Sequence, residues 1–105
     1  MKRQFEFLGT IKSNSDEVEQ YRFKNMLICK SEQRRCMETG TDLPDNRKSL
    51  LISFSRNGSG RLSERDMMLC AERMGIDTSK PYYETDMRSR FDDKNIHYIE
   101  QIVES

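Results

Sequence analysis

Between residues 63 and 75 the sequence SERDMMLCAERMG constrains the fold more than any other stretch. Met67, Cys70, Ala71 and Met74 recur at i, i+3, i+4 and i+7 and therefore share one face of a helix. Ser63 stands at the N-cap position with Asp66 three residues on, an imperfect capping box. Gly75 supplies the stop. What flanks this helix decides the rest.

On its N-terminal side lies a short apolar run, Leu50, Leu51, Ile52 and Phe54, followed by the polar, glycine-containing turn RNGSG. Before that, TGTDLPDN at 39–46 is the clearest boundary in the chain. Thr41 or Asp42 there can cap a helix with Pro44 in its first turn. On the C-terminal side, DTSKP at 77–81 reads as a linker. Tyr82, Tyr83, Met87 and Phe91 then sit near helical spacing, Asp92 to Asn95 break the pattern, and IHYIEQIVES closes the chain. The second half therefore reads as four helices joined by loops.

The first 42 residues read as an extension of uncertain structure. Residues 3–12 alternate in part, as a strand or extended arm does. Ser15 or Asp16 can cap a following helix. Residues 18–37 fit two periods: Val18, Tyr21, Asn25 and Ile28 at helical spacing, and Tyr21, Phe23, Leu27 and Cys29 at strand spacing with one polar gap. Length and the helix formers in KSEQRRCME favour a helix, with Gly40 as its stop.

The stretch FSRNGSGRLSERDMMLCAERMGI resembles an EF-hand of the calmodulin, centrin, troponin C and myosin light chain type. In that register Ser55, Asn57, Ser59, Arg61, Ser63 and Asp66 stand at the ligand positions, with Gly60 at the sharp turn. A second, weaker copy has Phe91 at the aromatic position, Asp92 at the loop start and Glu100 at its end, with the loop three residues short. The resemblance implies a mainly α fold over residues 43–105. It also implies a short two-stranded ribbon in which Leu62 pairs with Ile96. The groove it implies for a partner's amphipathic helix is lined by Leu50, Leu51, Phe54, Met67, Cys70, Ala71, Met74, Met87 and Phe91. Seven methionines suit an adaptable surface of that kind.

Calcium is opposed by the ligand chemistry. Affinity rises with carboxylate count, and the first loop offers Asp66 alone. Arg56, Arg61 and Arg65 surround it with positive charge. No cofactor is expected. The expected function is a calcium-insensitive, light-chain-like subunit that binds a target helix. Two alternatives stand beside it. One is a calcium sensor with an atypical loop. The other is an α+β regulatory protein with LLISF as a central strand and RNGSG as an anion-binding turn.

Composition trims the remaining classes. Charged residues make up 34% of the chain, yet 18 basic and 18 acidic residues leave a net charge of zero. That argues against broad nucleic-acid binding. No apolar run is long enough to span a membrane. The three cysteines form no C-x-x-C pair and read as reduced thiols of a cytoplasmic protein. A nucleophile elbow, a P-loop and a metal-ligand cluster are all missing from the sequence, and His97 has no evident partner, so an enzyme is not expected.

Overall fold

A computed structural model of the chain describes residues 5–13, 16–56, 61–88 and 95–104. The helix at the centre of the sequence is present: α1 spans Glu64–Arg73. Ser63 caps it, its hydroxyl oxygen accepting from the Asp66 backbone N–H at 3.3 Å. Gly75 follows with φ of 114°, a left-handed conformation that leaves the helix axis.

The other expected helices are not formed. Among the described residues α1 is joined by six strands: β1 (Glu6–Ser13), β2 (Asp16–Phe23), β3 (Met26–Gln33), β4 (Arg47–Arg56), β5 (Tyr83–Arg88) and β6 (Asn95–Glu104). They form one antiparallel sheet in the order β1-β2-β3-β4-β6-β5. This overturns the mainly α expectation and with it the EF-hand pair and the calmodulin-like, light-chain assignment, since two helix–loop–helix units require four helices. The run 50–54 lies inside β4, as the α+β alternative has it. Residues 39–46 form a loop and turn instead of a capped helix, with the Arg47 N–H bonded to the Pro44 carbonyl at 3.0 Å.

Residues 18–37 became two strands for a local reason. Lys24 adopts φ of 56° and turns the chain between Phe23 and Met26, so Phe23 pairs with Met26 and Tyr21 with Ile28. The period-two set then defines the faces, and β-branched and aromatic side chains favour the pleated surface. In β1 a bulge between Phe7 and Gly9 re-aims the strand. Gly9 accommodates it with φ of 137°.

The chain runs β1 to β4 as a meander, crosses through α1, and enters β5 at the far edge. β6 then returns into the gap between β4 and β5. Strands from both sides of residue 42 thus share one sheet. Helix α1 lies on one face. Beneath it Ile28, Ile52, Phe54 and Ile99 are fully buried and pack with Met67, Cys70, Ala71 and Met74 from the helix. Each buried Ile, Phe or Met among them contributes about 1.5–3 kcal/mol by leaving water, so this layer is the main source of stability. Two ties fasten the helix ends. Lys24 pairs with Asp66 at 3.0 Å. Gln101 accepts from the Asp77 N–H at 2.8 Å and donates to the Asp77 carbonyl at 2.7 Å.

Candidate functional site

Alternation places the neighbours of the core on the opposite face of the sheet, which carries no helix among the described residues. Residues directly opposite one another across a ladder share a face. Leu27 faces Ser55, which faces Ile96, which faces Met87. Cys29 faces Ser53, which faces Tyr98, which faces Thr85. The β4 positions in both rows are serines, while larger side chains stand on β3 and β6 to either side. The result is a trough along β4 with a floor of Ser53 and Ser55 and walls of Leu27 and Cys29 against Ile96 and Tyr98.

The walls stand two strand spacings apart, about 9.6 Å, close to the ~10 Å diameter of an α-helix with its side chains. All six side chains are partly exposed. None is charged, in a chain where 34% of residues are. Beyond the β6 wall, Met87 extends the apolar surface and is 51% exposed.

The other end of the same face is covered. Residues 34–43 fold into a tight reversal: the Leu43 N–H bonds the Arg34 carbonyl at 2.7 Å and the Cys36 N–H bonds the Thr41 carbonyl at 2.9 Å. Its tip is held by Glu100, which is buried at 2% exposure. The carboxylate accepts from the Met37 N–H at 2.7 Å, the Glu38 N–H at 3.1 Å and the Ser49 hydroxyl at 2.5 Å, with the Cys36 thiol at 3.6 Å. A buried carboxylate is tolerable only with such a set of donors. Ser49, fully buried, is the next floor position of the trough after Leu51.

On the helix-bearing face a second polar cluster sits at the β5 edge. His97 Nδ1 is 2.6 Å from Asp86 Oδ1 and Nε2 is 3.0 Å from Glu84 Oε1. Burial pulls the imidazole pKa down, but the hydrogen bonds and charges of the two carboxylates outweigh it and raise the pKa above 6.5. The carboxylates grip opposite ring nitrogens, so they orient the ring instead of converging on one point. Among the described residues no group of three His, Cys, Asp or Glu side chains is placed to hold a metal ion.

The structure disperses the residues that the EF-hand register gathers. Ser55 lies in the trough, Ser63 caps α1, Asp66 pairs with Lys24, and the Arg61 carbonyl accepts from Arg56 at 2.7 Å. Asn57 and Ser59 fall outside the described residues, as do Gly60, Phe91 and Asp92. Of the expected groove, Leu50, Phe54, Met67, Cys70, Ala71 and Met74 are buried between sheet and helix and present no groove. Leu51 and Met87 are on the open face. Leu62 packs beside the core while Ile96 lies on the opposite face, paired with Ser55 and Met87, so the ribbon does not form. Burial drives the Cys70 thiol up to about 11, with the negative Asp66 adding to it.

Reading the sequence for helices gave Glu100 the role of a loop end and missed Ser49 and the trough. The signal was present in KSLLISFS, where Ser49, Ser53 and Ser55 alternate with Leu50, Ile52 and Phe54. Small polar side chains opposite large apolar ones at period two mark a strand with one core face.

Among the described residues no helix is long and apolar enough to cross a membrane. No family model, curated protein or solved structure matches the chain, and nothing from such comparisons supports the EF-hand assignment.

Proposed function

We propose that the chain is a non-catalytic protein-interaction module that seats an amphipathic helix of a partner protein in the trough along β4. The observation that carries this reading is the uncharged, apolar-walled trough of helix width on a chain otherwise crowded with charge. Apolar surface of this kind on an exposed face marks interaction sites. Serine floor positions let a helix approach closely and leave no charge to desolvate. On the opposite face α1 shows how this sheet receives a helix: small residues, Cys70 and Ala71, lie at the contact with the strands. The partner's helix packs with its apolar stripe inward, as in other helix-in-groove recognition. Three free cysteines suit a reducing compartment such as the cytoplasm.

The test is a titration of the isotope-labelled chain with a designed amphipathic Leu/Ala/Lys helix of about 10 residues, ~15 Å long. Resonance shifts concentrated at Leu27, Cys29, Ser53, Ser55, Ile96 and Tyr98 are expected. Ser53→Arg should abolish them while preserving the thermal transition. Shifts on α1, or none, would sink the reading. A concentration-dependent dimer that Ser53→Arg dissociates would give the trough to a second copy of the chain and overturn the foreign helix.

A further inference from the structure

The upper half of the trough already has an occupant. Ser49 continues the floor formed by Ser53 and Ser55, yet it is fully buried under the reversal at 34–43. Among the described residues, the hydrogen bonds tying the tip of that reversal to the sheet converge on the Glu100 carboxylate. Arg34 also pairs with the exposed Asp45, in the loop before β4, at 2.5 Å. The backbone–backbone bonds of the segment are internal to it, as is the Arg35 guanidinium on the Gly40 carbonyl at 2.8 Å. A segment that satisfies its own backbone keeps its shape when undocked, so leaving the sheet exposes few orphaned groups beyond those on Glu100.

We infer that residues 34–43 form a releasable strap, latched by Glu100, that covers the upper trough and limits the length of helix the protein accepts. This rests on the trough being the binding surface. With the strap docked, the floor from Leu51 to Ser55 runs about 13 Å, which matches roughly two and a half helical turns. With the strap released, the floor extends to Ser49, about 20 Å, or nearly four turns. A partner helix of the longer kind has to displace the strap. Its apparent affinity is therefore reduced by the fraction of molecules in which the strap is open.

Two variants attack the latch from opposite sides. Glu100→Gln keeps the side-chain shape but turns an amide N–H toward donors that need an acceptor. Met37→Pro removes one of those donors and leaves the sheet sequence untouched. Three quantities are read: hydrogen exchange of the amides in 36–43, iodoacetamide labelling of Cys36 followed by peptide mass, and the affinity for designed amphipathic helices of about 10 and about 16 residues. Both variants should raise exchange and Cys36 labelling about tenfold while β3, β4 and β6 amides keep their wild-type rates. The longer helix should gain about the same factor in affinity and the shorter one nothing. Unchanged exchange and labelling in both variants would overturn the latch. Exchange rising across the whole sheet would show that the segment is part of the fold and not a strap. Release without a gain for the longer helix would overturn its role as a cover. Failure of the trough itself is distinct, because the wild-type chain would then bind neither helix.

Discussion

His97 Nδ1 lies 2.6 Å from Asp86 Oδ1, directly across the β5–β6 ladder. With Glu84 on the other ring nitrogen, one imidazole pins an edge strand that has a partner on only one side. The charged ring binds both carboxylates more strongly than the neutral one, which is why its pKa rises despite burial. A group whose folded-state pKa exceeds its unfolded value stabilises below the unfolded value and stops doing so as pH rises through the folded one. The His97 titration, followed by its ring resonances, should therefore have a midpoint above 6.5. Protection of β5 amides, corrected for the intrinsic base-catalysed rise in exchange, should fall as pH passes that midpoint. His97→Gln should remove that fall, and an unshifted midpoint would contradict the clamp.

Phe54 and Leu27 separate the two faces. Phe54 is fully buried beneath α1, and Phe54→Ala should cost about 3–5 kcal/mol in urea denaturation. Leu27, partly exposed on the trough wall, should cost under about 1 kcal/mol when changed to Ala, since a side chain left partly in water loses little. Equal costs would mean that the open face is core in some assembled state.

The three thiols should react in a set order. Cys29 is partly exposed in the trough, Cys36 is buried where the strap meets Glu100, and Cys70 is buried on the inner face of α1. With its pKa near 11, Cys70 is about one part in a thousand thiolate at pH 8. A disulfide reagent should modify Cys29 first. Cys70 should react only at the rate of unfolding. Early modification of Cys70 would mean that α1 lifts from the sheet.

Two interactions at the N-terminus of α1 differ in strength. Ser63→Ala removes the cap and should lower stability by about 1 kcal/mol. Asp66→Asn removes the ion pair with the half-exposed Lys24 and should cost less, within about 0–1 kcal/mol, with the difference shrinking in salt.

Calcium should not bind. Ser63 caps the helix, Asp66 pairs with Lys24, and Ser55 faces the far side of the sheet from both. Calorimetric titration should show no heat of binding at about 10 µM calcium, the sensor range.

Helix α1 was legible because its signals are local. Met67, Cys70, Ala71 and Met74 set the face, and Ser63 and Gly75 set the ends, all within thirteen residues. The strands were legible only in part. The alternation at 3–12 announced β1, and LLISF stood as a strand in the alternative reading. But β4 and β6 are covered in part on both faces, by α1 on one and by residues 34–43 on the other. Leu50, Leu51, Ile52 and Ile99 are apolar whichever way they point, so the alternation that distinguishes strand from helix is blurred. The β2–β3 turn added no warning, since Lys24-Asn25 lacks the glycine that announces a hairpin.

Local order along the chain determined where α1 begins, which face it buries, and that the molecule is evenly charged. Only the tertiary structure decided that β6 would insert between β4 and β5. That insertion brings Glu100 to the strap, His97 to Asp86 and Tyr98 opposite Ser53, contacts spanning 11 to 64 residues of sequence. Their formation depends on long-range pairing whose free energy comes from burying Phe54, Ile52 and Ile99 together. No short window of sequence contains that energy.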